Sequence, residues 1–296
     1  MNTAMAKPHV AIMGLGIMGS GMAGRVLSAG FPLSVYNRNP EKTRPFVEKG
    51  AQLAKSPREA VSQAAVVISM VADDVASREI WLGESGALAA ANRGSILIES
   101  STLTVGWVEQ LASEAAKRGC EFLDAPVTGT KPHAESGQLL FLAGGSANAL
   151  EAAKPVLSVL GRDVIHLGPV GSGARMKLIN NFLAAVQTVS FGEALAVIEA
   201  GGLDSKKAIS ILADGVPGSP MVKRVVARIE SGDFGPHFFM RLMAKDVGYA
   251  IEEARTRDVD LQTASAALNV LKQAIAKGFG DKDFTSVVQA IQGKEA

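Results

Sequence analysis

The chain has 296 residues, 47% hydrophobic and 20% charged, with 31 glycines and 12 prolines. At roughly 100–200 residues per domain, that length predicts about two domains and a large core. Its 30 basic and 29 acidic side chains leave a formal charge of +1. There is no basic stripe of the kind that nucleic acid or an anionic membrane surface requires, so neither is expected as a partner.

In chain order, Met1–Lys7 is short and polar and lacks the three regions of a signal peptide. Val10–Met13 is a compact apolar run, followed by a glycine-rich turn and a helix reaching about Ala29. Leu33–Tyr36 reads as the second strand and Gln52–Ala54 as a weak third. The apolar run from Ala64 stops at Asp73 and Asp74, and no run approaches the ~18–20 residues of a membrane span. Val66–Val71 and Ile96–Ile98 are rich in β-branched residues, as strands buried on both faces should be. Helical segments such as Trp107–Arg118 lie between strands, and this alternation predicts a parallel sheet with right-handed crossovers. Cys120, the single cysteine, has no partner for an intrachain disulfide, so nothing implies an oxidising compartment. Glu121–Leu123, Leu139–Ala143 and Val164–Leu167 complete the strands. From Gly173 to about Ala200 runs one long helical pattern, and the rest is helical apart from breaks at Gly201-Gly202 and Val216–Pro220. The expected architecture is a doubly wound α/β domain over residues 1–168 and an all-helical domain over 169–296, in a soluble cytoplasmic protein.

Gly14-Leu15-Gly16-Ile17-Met18-Gly19 matches G-x-G-x-x-G after an apolar strand and before a helix. In that context Gly14 permits the tight turn, Gly16 lets a pyrophosphate approach the backbone, and Gly19 allows close helix–strand packing. The alternative is a glycine-rich turn that holds no ligand. The end of the second strand bears on the choice of dinucleotide, because an NAD site usually carries a carboxylate there for the ribose 2′-OH. Here the strand ends Tyr36-Asn37-Arg38-Asn39, with no carboxylate before Glu41. Asn37 would not repel a 2′-phosphate, and Arg38 can pair with one, so NADP(H) is expected in preference to NAD(H), with Arg44 as a second phosphate partner. A plain polar turn before Pro40 is the other reading. Val71, at the end of the fourth strand, is also assigned to the cofactor.

Of the four histidines, His9 and His166 border or lie within strands, where structural roles are usual. His133 and His237 fall in loops without a recognisable acidic partner in the sequence. Cys120 reads as a small buried residue, and no Cys/His spacing suits zinc. Lys177 stands in the apolar turn Met176-Lys177-Leu178-Ile179-Asn180-Asn181-Phe182, four residues before Asn181 and so on one helix face with it. A lysine beside a positive helix start in apolar surroundings has a lowered pKa and can donate a proton to a carbonyl. The spacing is equally that of a lysine snorkelling to solvent.

These stretches, with Ser101-Thr102, Asp124-Ala125-Pro126-Val127-Thr128-Gly129, Gly171-Ser172-Gly173 and Lys245-Asp246 in the same order, resemble the β-hydroxyacid dehydrogenases related to 3-hydroxyisobutyrate dehydrogenase. Val35–Arg38, Glu135–Gln138, Leu167–Ala174 and Gly280–Phe284 look most like the NADPH-dependent glyoxylate/succinic semialdehyde reductase group. The resemblance implies that Lys177 is the catalytic acid/base and Asn181 a substrate ligand. It further implies that Thr128 and Gly129 hold the substrate carboxylate and that Phe238 and Asp246 line the pocket. Thr102 and Lys245 are implied to lie at the cofactor. Serine is common in the family where this chain has Thr128, which narrows the pocket by a methyl group.

The expected activity is hydride transfer between NADP(H) and a small carboxylate-bearing aldehyde or hydroxyacid. Alternatives are oxidation of 3-hydroxyisobutyrate, 3-hydroxypropionate or serine with NAD(P), reduction of tartronate semialdehyde, and reduction of imines. A dinucleotide-binding scaffold without chemistry is the non-enzymatic reading, and retention of Lys177 speaks against it. The apolar C-terminal helices and the resemblance together predict a homodimer or homotetramer.

Overall fold

In the computed structural model, which describes residues 7–296, the chain begins its fold at β1 (Val10–Met13), four residues that are all buried. The reading of the polar start as free of a signal peptide concerns mainly residues 1–6, outside the described residues. β1 leads into α1 (Ile17–Ser28), β2 (Leu33–Tyr36), α2 (Arg44–Val47), β3 (Gln52–Leu53), α3 (Pro57–Val61) and β4 (Val66–Ser69). α4 (Asp74–Leu82), β5 (Ile96–Glu99), α5 (Val105–Lys117), β6 (Glu121–Asp124), β7 (Val127–Thr128) and α6 (Lys131–Ser136) follow. β8 (Leu139–Gly145), α7 (Ala147–Leu160) and β9 (Gly161–Gly168) then lead to α8 (Ser172–Ala200). The remainder is α9 (Ser205–Asp214), α10 (Pro220–Ser231), α11 (Met240–Arg255), α12 (Gln262–Ala276) and α13 (Val287–Ile291). Packing divides the chain into two units, one ending at Lys177 and the other running from Leu178 to Ala296.

In the first unit the strand order is β3-β2-β1-β4-β5-β6-β8-β7, with β9 also paired to β8. β1 pairs in parallel with β2 on one side and β4 on the other (Val10↔Leu33, Val10↔Val66). The winding direction therefore reverses at β1, and the turn leaving its carboxyl end lies where open α/β sheets bind ligands. Val10, Ile12, Val35, Val66, Ile68, Ile98, Leu123 and Phe141 are buried in one core, which accounts for the continuous apolar runs.

The sheet is not wholly parallel as the sequence rhythm predicts. β8 runs antiparallel to β6 (Leu123↔Gly145) and to β7 (Val127↔Phe141). Between Thr128 and Leu139 there is only the short α6, too little for the crossover of about a dozen residues or more that a parallel return needs.

In the second unit α11, α12 and the C-terminal segment enclose Met240, Met243, Val247, Leu271, Phe279, Phe284 and Val287. A second cluster joins Phe191, Leu195 and Ile198 of α8 to Val225 and Val288. α8 and α13 approach closely at Gly192, where a Cβ would sit 2.9 Å from the Ile291 side chain. Contrary to the sequence reading, among the described residues one helix is long and apolar enough to cross a membrane: α8, with a mean hydropathy of 1.4 over an 18-residue window. Gln187 and Glu193 break the run without lowering the average enough. A core helix meets the same criterion, and Ala185, Val189, Phe191, Leu195 and Ile198 are buried in the second unit's cores.

Candidate active site

The first unit builds its candidate site at the carboxyl ends of the strands. Gly14 has φ +98°, and a Cβ on it would lie 2.2 Å from the Met70 carbonyl oxygen. A Cβ on Gly19 would lie 1.9 Å from the Gly14 carbonyl oxygen. Only glycine lets β1 turn directly into α1 at this spacing. Gly16 is different: it is exposed, nothing lies within 4 Å of where its Cβ would be, and it caps α1 with no side-chain hydrogen bond. The helix start at Ile17 and Met18 thus has no side-chain acceptor for its free N–H groups, and the backbone is open to approach by a phosphate. These residues fit a dinucleotide pyrophosphate.

Asn37 is committed to the same loop. Its Oδ1 accepts from the Leu15 N–H at 2.8 Å, and its Nδ2 donates to the Asn39 carbonyl at 2.8 Å. Arg38, the next residue, is exposed. Arg44, expected as a second phosphate ligand, lies 3.4 Å from Glu48 in an exposed ion pair.

At the ends of β4 and β5 a buried relay of hydrogen bonds sets the chain. The Val71 N–H donates to Ser101 Oγ at 2.7 Å, and the Ser101 N–H donates to Glu99 Oε1 at 2.9 Å. Glu99 Oε2 accepts from Ser77 Oγ and Trp81 Nε1, each at 2.8 Å, and Trp107 Nε1 donates to Ser77 Oγ at 2.9 Å. Burial pushes the Glu99 carboxyl up from the usual range, against the lowering effect of these hydrogen bonds. The network brings Val71 and the Ser101-Thr102 turn together.

Thr128 closes β7, opposite Leu140 of β8. Gly129 has φ +131°, and its Cβ would press within 3.1 Å of His133 and Leu139. His133 is taken up in the same turn, its Nδ1 accepting from the Thr130 N–H at 3.2 Å. Upstream on β6, Asp124 is wholly buried. Its Oδ1 accepts from the Gly171 N–H at 2.9 Å and its Oδ2 from the Ala174 N–H at 2.8 Å. Burial raises its carboxyl to about 6, although these backbone hydrogen bonds pull the other way. Lys177 follows one turn later on α8, half-buried.

His9 bonds Ser34 Oγ at 2.9 Å, and partial burial lowers its pKa. His166 bonds the Gly145 carbonyl at 2.8 Å, and Cys120 is buried and free. Among the described residues no group of three or more His, Cys, Asp or Glu side chains is placed to hold a metal ion.

In the second unit, Asn181 Nδ2 on α8 donates to Asp246 Oδ2 on α11 at 2.6 Å, and both residues are almost fully buried. The Lys245 ammonium lies 2.9 Å from Asp246 Oδ1 and 4.8 Å from the Tyr249 ring. Asn181, Lys245 and Asp246 are therefore one cluster. Phe238 packs edge-to-face on Phe284 at 5.7 Å, and its N–H donates to Asp283 Oδ2 at 2.9 Å. His237, read from sequence as lacking an acidic neighbour, has its N–H on the same carboxylate at 3.0 Å. That neighbour is distant in sequence and so invisible there. Burial, then the Arg228 charge, lowers the His237 pKa.

The sequence reading passed over Glu99, Ser101 as a hydrogen-bond hub, Asp124 as a helix anchor, and Asp283. Glu99 and Asp124 left a signal: each is a lone carboxylate at the carboxyl end of an apolar strand.

A glycine-rich turn at the switch point of a mostly parallel sheet, followed in the chain by a helical unit, defines a dinucleotide-dependent oxidoreductase of two parts. Residues 9–168 match the family model of the NAD-binding domain of 6-phosphogluconate dehydrogenase, and residues 171–291 that described as NAD-binding of NADP-dependent 3-hydroxyisobutyrate dehydrogenase. The chain is 35% identical to an NAD-dependent L-serine dehydrogenase of Pseudomonas aeruginosa, over 96% of this chain and 97% of that one. It is 32% identical to glyoxylate/succinic semialdehyde reductase 1 of Arabidopsis thaliana, over 96% and 98%. The structure of Mycobacterium tuberculosis 3-hydroxyisobutyrate dehydrogenase with L-serine superposes with a TM-score of 0.88 at 28% identity, over 97% of this chain and 99% of that one. The chain belongs to the β-hydroxyacid dehydrogenase family related to 3-hydroxyisobutyrate dehydrogenase.

Proposed function

We propose that this enzyme is an NADP(H)-dependent reductase of a small carboxylate-bearing aldehyde such as glyoxylate or succinic semialdehyde, with Lys177 as general acid. The observation that carries the choice of cofactor is the end of β2. Asn37 has both its amide groups engaged by the backbone, no carboxylate stands before Glu41, and Arg38 is exposed beside it. A 2′-phosphate there meets a cation and no repelling charge.

Gly16, Ile17 and Met18 offer backbone N–H groups to the pyrophosphate, and Gly14, Leu15 and Gly19 shape the turn that lets it approach. Asn37 and Arg38 select the adenosine ribose, and Val71, Thr102 and Lys245 complete the cofactor contacts. When bound, the nicotinamide supplies the hydride. The Thr128 hydroxyl and Gly129 N–H orient the substrate carboxylate. Asn181, Phe238 and Asp246 shape the remainder, and the ammonium of Lys177 gives its proton to the carbonyl oxygen. In the reverse direction the neutral amine takes the alcohol proton. A cytoplasmic homodimer or homotetramer is the proposed form of the enzyme.

The second reading is NAD-dependent oxidation of a 3-hydroxyacid. It is favoured by the 35% identity to a protein named as an NAD-dependent L-serine dehydrogenase. Initial rates with NADPH and NADH against glyoxylate, succinic semialdehyde and tartronate semialdehyde test the choice. The alcohols 3-hydroxyisobutyrate, 3-hydroxypropionate and serine, with NADP and NAD, complete the panel. NADPH preference with an aldehyde acid is expected, and turnover only with NAD and a 3-hydroxyacid would replace this reading by the second. Lys177→Ala should lower turnover by ~10²–10⁴ while nicotinamide fluorescence still reports NADPH binding. Near-wild-type turnover would remove Lys177 from the mechanism.

A further inference from the structure

We infer that Asp124 is a positioning residue for the reaction, fixing the start of α8 and with it the placement of Lys177. The assignment rests on Lys177 being the proton donor proposed above. Ordinary helix caps are short side chains next to the helix in sequence, commonly Ser, Thr, Asp or Asn, as Asp73 and Asp204 are here. Here the acceptor comes from the middle of the sheet, 47 residues before Gly171 and 50 before Ala174, and both carboxylate oxygens are used. The packing around it admits no side chain. A Cβ on Gly144 would lie 2.4 Å from Asp124 Oδ1, and one on Gly173 would lie 2.1 Å from the Leu142 carbonyl and 3.0 Å from Asp124 Oδ2.

β6 is also the strand that continues through Ala125-Pro126 into Thr128 and Gly129. One buried carboxylate thus ties the proposed carboxylate-binding turn to the helix that carries the proposed acid. An α-helix rises ~1.5 Å per residue, so a shift of one hydrogen bond at Ala174 carries to Lys177, three residues on. The anion also sits at the positive start of α8, where a negative charge is favoured.

Burial brings the Asp124 carboxyl up to about 6, so mild acid removes both the charge and one acceptor. Other charged or titratable groups stand on the elements packed around it. Glu99 is its register partner on β5, and Glu109 on α5 lies beside Gly171. β9 carries Arg162, Asp163 and His166, and the start of α8 carries Arg175 and Lys177.

The test is Asp124→Asn in the full-length enzyme, assayed from pH 5 to 9 with the best substrate of the panel above. The amide keeps the size but presents N–H where an acceptor is needed. The expected result is a kcat lower by about 10- to 100-fold, the cost of misplacing a catalytic group, with NADPH binding retained. The acid limb of kcat near pH 6 should disappear. Persistence of that limb would assign it to another group and overturn the inference, as would an unchanged kcat.

If the variant does not fold, amide exchange in the wild type decides. These two hydrogen bonds favour the anion against the raising effect of burial, so protonation weakens them where α8 opens locally and Asp124 stays buried. Protection of Gly171 and Ala174 should then fall by about tenfold or more from pH 7.5 to pH 5, and unchanged protection factors would overturn the anchoring. Wild-type enzyme with no turnover anywhere in the panel would remove the Lys177 reading, while the exchange data judge the anchoring separately.

Discussion

At the scale of single residues, the choice of dinucleotide turns on two neighbours with different duties. Asn37 spends its side chain on Leu15 and Asn39, so Asn37→Asp keeps the acceptor for the Gly-rich loop and loses only the donor. The substitution restores a carboxylate for a ribose hydroxyl, so the ratio of NADPH to NADH affinity should fall toward NADH. Arg38→Ala should weaken NADPH far more than NADH, by roughly 10- to 150-fold if one charge-assisted hydrogen bond of ~1.5–3 kcal/mol is lost. Equal losses for both nucleotides, measured by fluorescence titration, would make Arg38 structural. Asp124 also has a signature in stability. Its carboxyl, raised from 3.8 to about 6 in the folded protein, binds its proton more tightly folded than unfolded. Folding stability therefore falls as pH rises through this window and levels off above it. Asp124→Asn removes that dependence, so urea unfolding should show its disadvantage relative to wild type shrinking by about 1 kcal/mol from pH 5 to pH 7.5. A constant difference would show that burial does not raise this carboxyl. Glu99 is raised in the same direction and stays in both proteins, so it cancels from the comparison.

Among the elements, the β1-turn-α1 unit is the most constrained. Gly19 packs against the turn so closely that an added methyl would lie 1.9 Å from the Gly14 carbonyl. Gly19→Ala must therefore push α1 away from β1, and the expected outcome is loss of dinucleotide binding together with a lower melting temperature. Gly16→Ala meets no protein atom, so it should fold as the wild type does while weakening the nucleotide. Matching losses of fold in the two variants would overturn the division between packing and ligand approach. Each of these elements was legible in the sequence, because a parallel strand covered on both faces is apolar throughout and ends at glycine. The reversal at β8 was not, since Leu139–Gly145 is as apolar as its parallel neighbours and alternation carries no strand direction. Nor was the cap of α8, whose acceptor lies on β6.

For the molecule as a whole, the second unit leaves large apolar side chains in water. Leu183, Val197, Leu203, Ile211 and Val216 are all exposed, where such residues commonly mark an interface. Sedimentation velocity should therefore find a dimer or tetramer, and charged substitutions at Val197 and Ile211 together should dissociate it. A monomer at micromolar concentration would end that expectation. The sequence by itself determined the class of fold, the turn that fits a pyrophosphate and the family, because these depend on local patterns: apolar runs, glycine spacing and motif order. Lys177 and Asn181 stand out in the sequence as polar residues in an apolar helical turn, and their roles are those proposed from the family resemblance. Only the tertiary structure decided that Asn181, Asp246 and Lys245 meet, that Glu99 sets Ser101 and Val71, and that Asp124 holds the start of α8. Those pairings join residues tens of positions apart, and a buried carboxylate shows its worth only when the donors that satisfy it are in place.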